Sequence, residues 1–199
     1  MRLLFLSIAL CALLVSCNTE ADKHLELFSE YYDAIQKRSE DKWNFAADTV
    51  RLWFDKKEGD PILQIKGEGS TGKWKEWDEE MKSSSTYDSL WFDTKENTVK
   101  GFFQEDNEFY RLIGKSPTKT IRTYWFNKND KIHEILIYWI PEANTTTAEN
   151  LKPIVAWAME HDSLEIQQLY PNSRLVPSKE NAIRWKKLLT KYNEANKDN

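Results

Sequence analysis

Cys17 sits in the stretch ALLVSCNTEAD, from Ala12 to Asp22, and is one of two cysteines in a chain of 199 residues. It follows an apolar run and precedes a polar one. Its sulfur is therefore a buried thiol, half of a disulfide, or a point of covalent attachment. A second kind of chemistry is offered by His133 and Glu134 in KIHEILIYWI and by Arg122 in TIRTYWF. An imidazole there can act as a general base or hydrogen-bonding group, a strand carboxylate can transfer a proton, and a guanidinium can hold an anionic group. Other ionisable pairs offer less. Asp88 and Asp93 bracket SLW, with Asp93 opening a turn; Glu105 and Asp106 read as a solvated hairpin tip. His161 follows a helix, where a cation suits the dipole, and Tyr31 with Tyr32 at a helix edge reads as packing.

Several chemistries are excluded by spacing. No Cys/His cluster has metal-ligand spacing, so neither a metal nor a cofactor is expected. GEGSTGK (67–73) places Gly67, Gly72 and Lys73 at phosphate-loop spacing, but Trp74 stands where Ser or Thr should follow, and no βαβ unit frames it. The three histidines, His24, His133 and His161, lack a matching nucleophilic serine signature. The formal charge of −4, with no Lys/Arg run, argues against a nucleic-acid partner. Nine Trp, eight Tyr and nine Phe suit a thick core or an aromatic-lined cavity.

The elements that position these residues can be read from periodicity. Leu25, Phe28, Tyr32 and Ile35 mark one face of a helix. Trp43, Ala46, Ala47 and Val50 repeat that spacing after Ser39, a candidate N-cap. VRLWFD (50–55) and ILQIKG (62–67) flank a Gly-Asp-Pro turn, and 72–81 reads as helix. Residues 87–93, 98–104, 108–114, 120–126 and 131–140 then read as strands joined by short polar turns, which implies antiparallel hairpins. The remainder is helical: Thr146 and Glu149 form a capping box, Pro153 suggests a start nearer that residue, Pro171 stops a short helix, and Ser178 caps a stripe of Ala182, Trp185, Leu189 and Tyr192. Clustered strands with helices to one side predict an α+β fold.

In the closing hairpin, a loop of two or four residues between 126 and 131 sets Ile121, Thr123, Trp125, Ile132, Glu134, Leu136 and Tyr138 on one face. The other then carries Arg122, Tyr124, Phe126, His133, Ile135, Ile137 and Trp139.

The amino-terminal segment has an n-region with Arg2, then LLFLSIALCALLV, too short to span a bilayer comfortably. It ends in LVSC, which resembles the lipobox of bacterial lipoprotein signals. The resemblance implies diacylglycerol on the Cys17 thiol, cleavage before Cys17, and acylation of the new amino terminus. Residues 1–16 are then a signal peptide that leaves with Cys11, so no intramolecular disulfide remains. Residues 17–23 form a tether, and the chain is expected in the cell envelope, anchored to a membrane through Cys17. Thr19, second after the cysteine, points by analogy to the outer membrane.

The element order, with FSEYYDAIQKRSEDKWNFAADTV, GKWKEWDEEM and TYWFNKNDKIHEILIYWI, resembles the SnoaL-like branch of the nuclear transport factor 2-like superfamily. The resemblance implies a cone: a curved antiparallel sheet wrapped around the N-terminal helices over 24–142. Residues 143–199 are expected as a helical extension packed on that domain. Family members are isomerases, cyclases, dehydratases and non-enzymatic binding domains, often dimers through the outer sheet face, so fold alone chooses no function. The leading expectation is a non-catalytic, lipid-anchored module that binds a small apolar or aromatic ligand through Tyr32, Trp91, Arg122, Tyr124, Trp125 and His133. The alternatives are an isomerase, hydratase or cyclase using His133 or Glu134, and a structural or protein-interaction module with a filled pocket.

Overall fold

Helix α1 (residues 20–36) buries His24, Phe28, Tyr31, Tyr32 and Ala34, spaced to lie along one face. A computed structural model describes residues 20–67, 72–143 and 145–197. Cys17 and its signal, most of the GEGSTGK stretch and Asn144 fall outside them. Residues 20–23, expected as tether, are already helical. Among the described residues no helix is long and apolar enough to cross a membrane.

Six strands form one curved, open, mixed sheet: β1 (Ala46–Phe54), β2 (Ile62–Ile65), β3 (Ser84–Asp93), β4 (Thr98–Asp106), β5 (Thr118–Phe126) and β6 (Ile132–Trp139), in the order β2-β1-β6-β5-β4-β3. With the helices this is the expected α+β class. One pairing departs from an antiparallel meander: β1 runs parallel to β6.

The chain divides into two compact units. The first comprises residues up to Lys66, Tyr87–Phe102 and Ile121–Tyr138. In it α1 lies on the sheet face of Tyr124 and Phe126: the Phe28 ring is 4.7 Å from Tyr124, and His24 is 4.6 Å from Phe126. After α1, Ser39 caps as expected, accepting from the Asp41 amide, but only a single 3-10 turn follows (Glu40–Asn44). The helical spacing of Trp43, Ala46, Ala47 and Val50 is overridden, because Ala46–Phe54 pairs with strands on both sides. Its Thr49, Val50 and aromatic residues favour that extended backbone.

The second unit comprises Gly67–Thr86, Phe103–Thr120 and Trp139–Asn199. It holds α2 (Gly72–Glu80), α3 (Glu108–Leu112), α4 (Thr147–His161), α5 (Ser163–Leu169) and α6 (Lys179–Ala195). The run 108–114, expected as a strand, turns into α3 because the Asn107 side chain accepts from the Tyr110 amide and caps it. The Thr146–Glu149 capping box is present, with α4 starting ahead of Pro153 and running through it. Trp77, Met81, Phe109, Leu151, Ile154, Leu169, Trp185 and Leu189 are buried in one apolar cluster. Each such side chain contributes roughly 1.5–3 kcal/mol on burial. α6 packs against α2, α3, α4 and α5, and Lys186 Nζ ties it to Glu80 Oε1 at 2.8 Å and Glu108 Oε2 at 3.1 Å. The carboxy-terminal helices thus share a core with α2 and α3.

Candidate functional site

Two sets of candidate side chains occur in the first unit. The first lies under α1. Phe28, at the middle of the helix, touches Tyr32 at 5.7 Å, Tyr124 at 4.7 Å and Tyr87 at 6.2 Å between ring centroids. Tyr32 meets Tyr87 at 5.2 Å, and Tyr31 meets Tyr124 at 6.2 Å. Tyr31, Tyr32 and Tyr124 are buried, while Tyr87 is 38% exposed. Arg122 is buried too, close enough for its charge to act on Tyr31. Burial pushes the Tyr31 hydroxyl well above its usual range, and neighbouring Tyr124 adds to this against the opposing pull of Arg122. Tyr31 is therefore a permanent hydroxyl donor at any physiological pH.

The second set surrounds Glu134. Its Oε1 accepts from the Trp53 indole at 2.6 Å and faces Lys57 Nζ at 3.1 Å; its Oε2 accepts from Arg51 Nη2 at 3.0 Å. Lys57 Nζ also stands 3.3 Å from the Trp125 ring centroid, a cation–π contact. Burial pushes the Glu134 carboxyl up, but the hydrogen bond and charge of Lys57, then Arg51 and Trp53, outweigh it and hold the group below its ordinary range. A carboxylate so held is a poor proton acceptor at neutral pH. His133 moves the other way chemically. Burial lowers its pKa; Glu134 opposes this, and Arg51 and Lys57 reinforce it. The imidazole is thus neutral near pH 7, a base in its unprotonated form but a weakened one.

The backbone explains why these groups meet. The β5–β6 loop has three residues, not two or four: the Asn127 amide donates to the Lys131 carbonyl at 2.9 Å, the Asp130 amide donates to the Asn127 carbonyl at 2.9 Å, and Asp130 takes φ 55°. Extended without interruption, that loop would set Trp125 and Glu134 on opposite faces. However, the Ile132 amide and the Ile137 carbonyl both pair with the β1 side, at 2.9 and 2.8 Å. Five residues apart, they break regular alternation, so it slips once between them. The register against β1 shifts over the same stretch, from Ala46↔Ile132 to Arg51↔Glu134. The slip returns Glu134 to the face of Trp125, where Lys57 reaches both.

Of the residues predicted from sequence, Tyr32, Arg122 and Tyr124 join the set under α1, while Trp125, His133 and Glu134 join Arg51, Trp53 and Lys57. Trp91 stands apart from both, 5.6 Å from Phe102 and 37% exposed. The weaker candidates have local roles. Asp93 accepts from the Lys95 amide and pairs with Lys100, both at 3.0 Å; Asp106 pairs with Arg111 at the end of β4, ahead of α3 instead of at a hairpin tip; His161 stacks on Trp157. Among the described residues no group of His, Cys, Asp and Glu could hold a metal ion. Arg51, Trp53 and Lys57 were not legible as site residues, because only the parallel β1–β6 pairing brings them to Glu134. Phe28 was visible as core, and Tyr31 stood one residue from a predicted ligand contact.

No family model matches the chain, and no curated protein matches it. Solved structures similar to it include a computationally designed 17-OHP binder, at 16% identity over 64% of this chain and 98% of that one, with a TM-score of 0.47. RV0760c from Mycobacterium tuberculosis, in complex with estradiol-17beta-hemisuccinate, is similar at 17% identity over 61% and 97%, with a TM-score of 0.46. A protein of unknown function with a cystatin-like fold from Methylobium petroleophilum is similar at 14% identity over 58% and 74%, with a TM-score of 0.45.

Proposed function

We propose that the chain is a lipid-anchored envelope protein whose body binds a small, largely apolar or aromatic ligand without transforming it. The observation that carries this is the set under α1. A buried arginine lies among buried tyrosines in a layer otherwise made of aromatic rings. That mixture of rings, hydroxyls and one cationic side chain suits a ligand with a ring and a polar or anionic end. The membrane anchor is Cys17, and Thr19 directs the protein to the outer membrane. A homodimer through the sheet face opposite α1 belongs to the same reading.

Native mass spectrometry of the chain from Asn18 onward, mixed with an envelope extract of its own host, tests it. A discrete added mass is expected. Arg122→Gln should weaken its retention about tenfold, the equivalent of about 1.4 kcal/mol, while Trp125→Ala should leave it unchanged. A bare protein across all extracts would favour a filled pocket and a structural or protein-interaction role.

One observation favours a second reading. His133 is a neutral imidazole beside two cations that could stabilise a developing negative charge. It makes His133, not Glu134, the proton acceptor of an isomerase-type enzyme. Turnover of the captured ligand that is lost in His133→Gln would select it.

A further inference from the structure

The first turn of α1 sits at one end of the first unit. Lys23 Nζ is 2.5 Å from Asp130 Oδ2 in the β5–β6 turn, and His24 Nε2 is 3.3 Å from Asp130 Oδ1. The His24 ring stacks on Phe92, at 5.0 Å and 7°, just before the β3–β4 turn. Lys131 Nζ reaches the Asn44 carbonyl, which brings the 3-10 turn to the same end. Glu20, the first described residue of α1, is three residues beyond Cys17. Three extended residues reach about 10 Å. The headgroup layer of one leaflet is about 5–8 Å thick. An acylated Cys17 at the base of that layer therefore leaves no room for a free stalk.

We propose that this end of the unit is a membrane-facing surface that rests on a zwitterionic lipid headgroup layer. The inference depends on the acylation of Cys17 proposed above. The surface suits that partner. Trp43 in the 3-10 turn is half-buried, with its indole N–H on Glu40 Oε2 at 3.1 Å and Lys42 Nζ 5.2 Å from its ring centroid. An amphipathic ring so placed fits the polar boundary of a bilayer. Exposed Glu20, Asp22, Asp41, Lys23 and Lys128 interleave both signs of charge. A polyanionic surface would be repelled by that acidic share, whereas alternating phosphate and ammonium groups match it. The β1–β2 turn lies at the far end of β1, nine residues or about 25–30 Å away.

The test uses the full, acylated chain in vesicles of phosphatidylcholine and phosphatidylethanolamine, some carrying a nitroxide on the headgroup. A fluorophore is placed on Asn129→Cys in the β5–β6 turn or on Glu58→Cys in the β1–β2 turn. Intact mass reports the acyl chains, and flotation reports vesicle attachment. The expected result is quenching several-fold stronger at position 129 than at 58. Equal quenching at the two positions, or none at 129 in a chain that carries its acyl mass and floats, overturns the proposed surface while leaving the anchor standing. A chain without acyl mass overturns both.

Discussion

At the scale of single residues, the Glu134 carboxylate has the most dependents. Removing its charge leaves Arg51 and Lys57 facing each other across a half-dry site. Glu134→Gln should cost about 1–3 kcal/mol in urea unfolding at pH 7, the range for losing a charged partner in a hydrogen-bonded cluster. The pH dependence follows from the direction of its shift. Its folded pKa is depressed, so the stabilisation is complete above the unfolded carboxyl value of about 4.3 and is lost as pH falls through the folded value. His133 has its folded pKa lowered as well, so the neutral ring stabilises above about 6.5, and protonation removes that contribution below it. The wild type should therefore lose stability in two stages on acidification. His133→Gln should abolish the upper stage, and Glu134→Gln should diminish the lower, to which Asp93, Glu108, Asp130, Glu149 and Glu165 also contribute because their carboxyls are lowered too. Coincident titration curves for wild type and both variants would sink this assignment.

At the scale of elements, capping decides one case outright. Residues 108–112 carry Phe, Tyr and Leu in a pattern that satisfies a strand, yet Asn107 closes a helical turn on the Tyr110 amide. Asn107→Ala should lower stability by about 1 kcal/mol, with faster amide exchange confined to 108–112. Exchange unchanged in that segment would mean that tertiary packing alone holds α3. The same residues show what was legible. Helices α2, α5 and α6, and most strands, were visible because their signals are local: apolar period, capping serine, stopping proline. The start of β1 was not, since its helical spacing is defeated only by hydrogen bonds to β2 and β6, distant in sequence. The three-residue turn and the slip in β6 were equally hidden, and together they leave Trp125 and Glu134 on the one face that a simpler loop implied. Arg122 and Tyr124 could be paired from strand alternation alone, but their neighbours Phe28 and Tyr31 come from a helix about ninety residues earlier, and no local pattern links them.

At the scale of the whole molecule, the question is what the sheet face opposite α1 does with its rings. Phe92 points to His24 of α1, so Trp91 points away, and it meets Phe102 on the neighbouring strand. Trp91, Phe102 and Tyr138 are 37%, 42% and 43% exposed. A large aromatic side chain offers about 150–250 Å², so three at this exposure leave roughly 250 Å² of ring surface to cover. A stable dimer buries about 800 Å² per partner. The rings can form the centre of such an interface, and the polar remainder must supply most of its area. That composition predicts a weak, reversible homodimer with a dissociation constant in the micromolar range, not an obligate one. Sedimentation velocity across a dilution series should show a concentration-dependent shift towards twice the monomer mass. Phe102→Lys should abolish the shift with only a small drop in melting temperature, because its ring is 42% exposed and its contact with Trp91 is the main one lost. A sharp monomer at every concentration would overturn the dimer and would leave the proposed ligand site under α1 untouched.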